Sequence, residues 1–330
     1  MAFRRIFTAA VLLAVLLAGF RAPVFAEGEA SEGAPEAREE GQFPELNGDG
    51  FLDSGEFVFE DEENGVWRYA SETLWIEIYR REQAKPARVW YEAEIRCAEG
   101  SEGPRMIAED PDHWMNKKEY PYKIARKTGT VLGVSSDYAQ LRLEKKNNRP
   151  GIIIRDGTVY GKRTRPKNSK GFPNLDCLAI WPDGDMQVFY SDEKTADQYL
   201  EEGAVDVLAF GPILIRDGEL NEEALNKYGT SRAERVAVGM VEKGHYYFMM
   251  LEGRIKRSKG DTIRFLAEKL LDKGCTLAFN LDGGQTASIV FMGHQLCRMK
   301  DSTKHVSSRV SSDILGVGHS DLLPAVGDPW

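Results

Sequence analysis

The sequence predicts an α+β fold with a large mixed, mostly antiparallel β-sheet core and a few flanking helices. Three observations predict it: a long pair of alternating apolar segments, several short apolar runs that end in an Asp-Gly turn, and only two clear helical patterns. Asx-Gly between two apolar runs is a strong short-range signal of a β-hairpin, because the favoured tight turn needs φ above zero. An antiparallel sheet with helices packed on it accommodates all three observations.

The N-terminal segment predicts export. Arg4 and Arg5 precede an apolar run over residues 6–20, and Val24-Phe25-Ala26 offers a small-residue cleavage site. The run is shorter than the roughly 20 apolar residues that a membrane span needs. Residues 1–26 are therefore interpreted as a signal peptide, with an uncleaved membrane anchor as the alternative, and a secreted or cell-envelope location is expected.

The negative charge of the chain is concentrated in one segment. The net charge is −9, but residues 27–63 carry fourteen Asp and Glu against the single Arg38. Residues 27–43 are acidic, small and non-periodic, which is typical of a disordered linker. Residues 64–330 are close to neutral, so the chain lacks the basic stripe that a nucleic-acid partner would need.

Residues 44–65 contain a loop that resembles the calcium loop of an EF-hand. Oxygen-bearing side chains at alternate positions let one loop wrap a hard cation, Gly50 fits the sharp turn, and a final Glu fits the bidentate position. The predicted calcium ligands are Glu45, Asn47, Asp49, Asp53 and Glu56. The alternative is an acidic Asx-rich turn ahead of the first strand, because no apolar-periodic helix precedes the loop.

Paired strands are predicted from about residue 66 onward. Residues 74–79 and 89–95 alternate as a long antiparallel pair, with Glu92 and Glu94 on one face. Three hairpins follow the Asx-Gly rule. Their turns are Asp156-Gly157, Pro182-Asp183-Gly184 and Asp217-Gly218.

Two helices are predicted, over residues 195–202 and 261–273. Gly203 and Gly274 follow them, and glycine is common just past a helix C-terminus. The apolar residues of the second helix share one face. The chain is expected to form one domain over residues 66–318, with a loose tail over 319–330.

The segment from Thr276 to Ala287 carries the clearest candidate chemistry. An apolar β-prone run delivers Asn280 and Asp282, and Gly283-Gly284 follow at once. Residues two apart on a strand point to the same face, and glycine lets the backbone approach a ligand closely. These residues predict a site for a polar substrate. The alternative is a tight turn in which Asp282 bonds its own backbone and Asn280 joins a buried polar network.

Five motifs between residues 133 and 284 resemble those of the phosphodiester glycosidase family, and the resemblance covers roughly residues 70–318. They are Gly133-Val134-Ser135-Ser136-Asp137-Tyr138, Phe210-Gly211-Pro212-Ile213-Leu214-Ile215-Arg216-Asp217-Gly218, Arg235-Val236-Ala237-Val238-Gly239, Leu251-Glu252-Gly253-Arg254 with Ser258-Lys259-Gly260, and Asn280-Leu281-Asp282-Gly283-Gly284. The resemblance implies a hydrolase that cleaves a glycosyl phosphodiester or a related cell-envelope glycan linkage, and the signal-like residues 1–26 predict that it is exported. The near-neutral charge of residues 64–330 would not repel such a substrate.

The resemblance and the local patterns together predict which residues form the site. Glycoside hydrolysis normally uses two carboxyl groups, for which Asp282 is the first candidate and Glu252 or Asp137 the second. Arg235 is a candidate phosphate ligand, because Arg binds phosphate bidentately; a structural salt bridge is its alternative. The candidate substrate-binding residues are Ser136, Gly211, Arg235, Arg254, Asn280, Gly283, Gly284 and Thr286.

The chain also departs from the family pattern. Gln285 and Thr286 stand where the family usually has Gly and Ser, and Glu252 stands where Asp is usual. These departures motivate a second hypothesis, a non-catalytic carbohydrate-binding envelope protein on the same scaffold. The oligomeric state is left open by the sequence.

The cysteines do not point to a metal site. Cys97, Cys177, Cys275 and Cys297 contain no Cys-x-x-Cys pair, which disfavours zinc. In an exported protein they allow three disulfide pairings, and buried free thiols are the alternative.

Overall fold

Three antiparallel sheets and four α-helices make up the part of the chain that the structure describes. This computed structural model describes residues 44–114, 117–137, 150–164, 174–299 and 309–328. It confirms the α+β fold class, with the sheet divided into three rather than continuous. The predicted signal peptide and linker over residues 1–43 lie outside the described residues.

The largest sheet has nine strands. In spatial order they are β1 (Phe57–Asp61), β2 (Val66–Ala70), β3 (Leu74–Ala84), β4 (Ala87–Cys97), β15 (His245–Leu251), β14 (Arg235–Glu242), β16 (Leu277–Leu281), β12 (Ile213–Arg216) and β13 (Glu219–Leu220).

Two further sheets have five strands each. The second sheet consists of β10 (Met186–Phe189), β9 (Asp176–Ile180), β11 (Asp206–Phe210), β7 (Gly151–Arg155) and β8 (Thr158–Arg163). The third consists of β18 (His294–Gln295), β17 (Ile289–Phe291), β6 (Thr130–Ser135), β19 (Ile314–His319) and β5 (Arg105–Ile107).

The described helices are short and lie outside the sheets. They are α1 (Pro121–Thr128), α2 (Ala196–Glu201), α3 (Glu222–Lys227) and α4 (Ile263–Asp272), with 3₁₀ turns at Pro111–His113 and Gly284–Thr286. Searched over the described residues, none of the helices combines the length and the apolar character needed to cross a membrane.

Side-chain alternation along the strands places the main core between the three sheets. On β15, Phe248 and Met250 face this core, whereas Met249 and Leu251 face the layer that contains α4. A strand with apolar residues on both faces is buried on both faces, which explains why the central strands of the large sheet read as continuous apolar runs.

Most of the locally encoded elements match the sequence predictions. The long pair is β3 with β4, and the three predicted hairpins are β7–β8, β9–β10 and β12–β13. Thr195 caps α2 with a reciprocal side-chain and backbone bond to Gln198. Helices α1 and α3 were not among the elements predicted from the sequence.

The segments at either end of the predicted domain also make ordered contacts. Strand β1 lies inside residues 44–65 and pairs with β2. In the C-terminal tail, the carbonyl groups of Ala325 and Asp328 accept hydrogen bonds from Arg126 of α1 (3.1 and 2.9 Å). All four cysteines are free thiols.

Candidate active site

Asp282 lies where β16 ends, beside the end of β6. Its amide donates to the carbonyl of Ser136 (2.9 Å), and its carbonyl accepts from the hydroxyl of Ser135 (2.8 Å). Because β16 and β6 belong to different sheets, these bonds join two sheets at the residue that carries the carboxyl group. Asp282 remains partly exposed, so a residue fixed on rigid elements is still open to solvent.

The glycine pair after Asp282 fits closely against the backbone of Glu234. A Cβ on Gly283 would lie 2.7 Å from the Glu234 carbonyl oxygen, so a larger residue would collide there. The Gly284 amide donates to that same oxygen (3.0 Å), and its φ of +60° favours glycine. Thr286 ends the following 3₁₀ turn and is buried.

Arg254 lies beside the glycine pair and is held by a buried carboxylate, Glu234. Its Nε donates to Oε2 of Glu234 (2.7 Å), and its Nη2 contacts the same oxygen. The Arg254 side chain is 45% exposed, whereas that of Glu234 is 1% exposed. A Cβ on Gly284 would lie 3.3 Å from Nη2 of Arg254. The partly exposed side chain of Arg254 therefore lies next to the turn that follows Asp282.

Arg235, the predicted phosphate ligand, is committed to the protein's own backbone. Its guanidinium donates to the carbonyls of Ser231 (2.7 Å), Gly229 (3.1 Å) and Asp261 (3.3 Å). Burial lowers its pKa from the ordinary value; the negative charge of Glu234 opposes this shift, and the nearby Arg254 adds to it. These contacts fix the segment before β14 and thereby the position of Glu234.

Asn280 and Gly211 form part of the scaffold beneath this turn. The Asn280 amide group donates to the carbonyl of Gly211 (2.9 Å), and Asn280 is buried. Gly211 has φ +72°, and a Cβ there would lie 2.9 Å from that of Asp176. The two residues tie β16 to the junction between β11 and β12.

Asp137 and Ser136 belong to a buried ion cluster around Arg155. The Arg155 guanidinium lies 3.1 Å from Asp137 (Nη2 to Oδ2) and 3.0 Å from Asp313 (Nε to Oδ2), and all three side chains are buried. Burial opposes the charge of Arg155, but Asp137, Asp313 and Asp206 outweigh it and raise its pKa. The Ser136 hydroxyl donates to the Asp313 carboxylate. This cluster supports the end of β6 that holds Asp282.

Glu252 lies in a second buried ion pair. Its Oε2 accepts from Nε of Arg257 (2.8 Å), and its Oε1 accepts from Nη2 of Arg257 and from the Arg298 amide (2.7 Å). Its side chain is 0% exposed. Both predicted second carboxyl groups, Glu252 and Asp137, are thus placed in buried pairs, and their assignment to catalysis stays a prediction.

The predicted calcium ligands do not converge. Asn47 Oδ1 accepts from the loop's own amides at Asp49 (3.0 Å) and Phe51 (3.1 Å), which forms an Asx turn. Glu56 accepts from the hydroxyl of Ser320, and Glu45, Asp49 and Asp53 are exposed. Within the described ranges, no three His, Cys, Asp or Glu side chains are grouped so as to hold a metal ion. Calcium binding stays a prediction.

A cavity of about 380 Å³ opens at the opposite ends of β6 and β19. Its lining includes Glu102, Arg105, Thr130 and His319, and none of the candidate site residues. Arg105 is paired with Asp206 (2.7 Å) and Asp156 (3.3 Å). We place the candidate site at Asp282 instead, because there a partly exposed acidic residue and the exposed Arg254 lie beside the backbone of Gly283 and Gly284.

Sequence reasoning missed Glu234 and Asp313, two carboxylates that shape the site. Glu234 directly precedes the Arg235 motif, so a search extended by one residue would have included it. Asp313 lies 177 positions beyond Ser136, its hydrogen-bond partner, and nothing in the local pattern connects the two.

Comparison with known families agrees with the geometry. The profile of the phosphodiester glycosidase family (NAGPA) matches residues 115–317, which is more than half of the chain. The chain therefore belongs to the phosphodiester glycosidase family.

Two individual relatives can be compared. The SPbeta prophage-derived uncharacterized protein YomE of Bacillus subtilis (strain 168) is 26% identical over 173 residues, which are 52% of this chain and 26% of that protein. The chain thus spans about a quarter of that relative's length. The zebrafish N-acetylglucosamine-1-phosphodiester alpha-N-acetylglucosaminidase catalytic domain, auto-inhibited by pro-peptide, has a TM-score of 0.57 at 18% identity, over 81% of this chain and 88% of that one. This likeness shows the fold.

Proposed function

We propose that this chain is an exported glycosidase that hydrolyses the bond between a sugar and the phosphate of a sugar phosphodiester. In this reaction water adds to the anomeric carbon, and the phosphate oxygen leaves with the bonding electrons as a phosphomonoester. The observation that carries the proposal is the junction at Asp282. There the partly exposed Asp282, whose backbone is fixed by Ser135 and Ser136, lies one turn from Arg254, whose side chain is 45% exposed.

Each of these groups has a defined role in the proposed reaction. Asp282 either receives the proton of the attacking water or attacks the anomeric carbon itself. Arg254 binds the phosphate oxygens and stabilises the charge that develops as they leave. A phosphate is a good leaving group and needs little proton donation, so a second carboxyl group is less important than in ordinary glycoside hydrolysis. Export rests on the signal-like residues 1–26.

The test is hydrolysis of a panel of chromogenic and nucleotide-sugar phosphodiesters by wild type and by Asp282→Asn. We expect turnover in the wild type and a loss of at least ~100-fold in Asp282→Asn, the scale of a general acid–base contribution. Asp272→Asn is the matched control, because Asp272 is an exposed carboxylate at the end of α4. Equal turnover by Asp282→Asn and the control would refute the assignment.

One observation favours a second candidate function, sugar-phosphodiester binding without turnover. Glu252 and Asp137, the two predicted second carboxyl groups, are buried in ion pairs with Arg257 and Arg155. A folded wild type that binds the panel but hydrolyses none of it would support this candidate.

A further inference from the structure

We propose that Glu234 sets the charge selectivity of the site, so that it favours a singly charged phosphodiester over a doubly charged phosphomonoester. This inference rests on the proposed function, because it takes Arg254 to be the phosphate ligand. The two phosphate classes are the substrate and the product of the proposed hydrolysis.

The negative charge of Glu234 lies directly behind the exposed arginine. Glu234 is buried directly before β14, its backbone supports Gly283 and Gly284, and its side chain holds Arg254. Any anion that contacts the exposed part of Arg254 therefore lies close to the Glu234 carboxylate. A charge in a buried environment acts more strongly on its neighbours than one in water.

The Glu234 carboxylate is hydrogen-bonded through only one of its two oxygens among the described residues. Both contacts from Arg254, through Nε and Nη2, go to Oε2 of Glu234. No described residue donates a hydrogen bond to Oε1, although that atom is buried. Buried polar atoms are nearly always paired, so an unpaired carboxylate oxygen at this point calls for a role outside folding.

Arg235, Arg254 and Glu234 are the charged groups next to the proposed phosphate position. Arg235 donates to carbonyl groups and also interacts electrostatically with Glu234, but it is only partly exposed, so the exposed Arg254 supplies the more accessible positive charge of this pair of arginines. Glu234 offsets part of it. Such a site still attracts one negative charge, but it gains little from a second one, because the second charge meets the repulsion of Glu234. The doubly charged product would then leave more readily than the substrate.

The experiment compares two ligands that differ by one methyl group and one charge. Phenyl phosphate is doubly charged at pH 8, because the second pKa of a phosphomonoester is about 6, whereas methyl phenyl phosphate is singly charged. Their dissociation constants are measured by calorimetry at low salt, which limits screening. Wild type is expected to bind methyl phenyl phosphate at least as tightly as phenyl phosphate.

The variants isolate the charge of Glu234. Glu234→Gln should shift the ratio of the two dissociation constants by ~10-fold towards phenyl phosphate, the size expected for one nearby buried charge beside a solvent-exposed ligand. Glu234→Asp keeps the charge and should keep the wild-type preference. Glu242→Gln removes an exposed charge at the far end of the same strand and should leave the ratio within ~2-fold, because the charge is distant and screened.

Each outcome has a defined meaning. An unchanged ratio in Glu234→Gln overturns the inference, and so does a wild type that prefers phenyl phosphate by ~10-fold or more, even where Glu234→Gln fails to fold. Wild-type turnover of sugar phosphodiesters with an unchanged ratio would refute the inference alone. A shifted ratio without turnover would refute the proposed catalysis alone. A wild type that binds neither probe would refute both the inference and the phosphate role of Arg254.

Discussion

Two buried glutamate–arginine pairs lie at the same end of neighbouring strands, and they differ in how completely the carboxylate is satisfied. Glu252 follows β15 and Glu234 precedes β14, and the two strands are paired in register through Arg235 and Leu251. Both oxygens of Glu252 accept hydrogen bonds from Arg257. In contrast, Glu234 uses Oε2 alone, and Oε1 has no partner among the described residues.

The difference separates a structural pair from one suited to a ligand. A fully paired buried carboxylate fixes the chain, and removing its partner is costly. A buried carboxylate oxygen that accepts no hydrogen bond lowers the stability of the fold. We therefore expect such an oxygen where the carboxylate has a role in ligand binding. The arginines follow the same division, since the side chain of Arg254 is 45% exposed and that of Arg257 is 26% exposed.

The largest expected effect is on stability, and it comes from the Glu252 pair. Glu252→Gln should reduce the free energy of unfolding by about 3–5 kcal/mol, because it breaks a buried ion pair and disturbs the bond to the Arg298 amide. Glu234→Gln should cost only about 1–2 kcal/mol, because one of its oxygens is already unpaired. Urea unfolding of both variants measures the difference. Equal losses would remove the distinction between the two pairs.

The next largest effect is on activity, and it compares alanine variants of the two arginines. Arg254→Ala should lower kcat/KM for a sugar phosphodiester by ~100-fold, about 2.7 kcal/mol of transition-state stabilisation, because it removes the proposed phosphate ligand. Arg257→Ala should change kcat/KM by less than ~5-fold while lowering stability, because its guanidinium serves Glu252. The reverse pattern would place the phosphate at Arg257 and contradict the proposed site.

The same comparison shows what the sequence was able to predict. Hairpins such as β12–β13 and the capped helix α2 depend on residues that are close in sequence, so they are predictable from the local sequence. Asp282 with Gly283-Gly284 was also recognisable, because the motif is continuous. Whether a carboxylate is free or paired depends on residues far away in sequence. Asp137 and Arg155 are brought together by the packing of two sheets, which no local pattern encodes.

The smallest effect concerns a third pair, formed by Glu94 with His245 at the opposite end of β15. The hydrogen bond from His245 is the main cause that lowers the pKa of Glu94 from 4.5 to about 2, with further help from Arg96 and Tyr247. A lowered carboxyl pKa stabilises the folded state above pH 4.5, and this contribution is lost as the pH falls through 2. Because solvent screens this partly exposed pair, the contribution should be only about 1 kcal/mol.

The pH dependence of this third pair distinguishes it from the two buried ones. The difference in unfolding free energy between wild type and Glu94→Gln should shrink by more than half between about pH 5 and pH 3, since protonation of Glu94 in the unfolded state comes first. Urea titrations at several pH values measure this difference. If it stays constant with pH, the ionised Glu94 does not stabilise the fold, and this partly exposed pair contributes nothing comparable to the buried Glu252 pair.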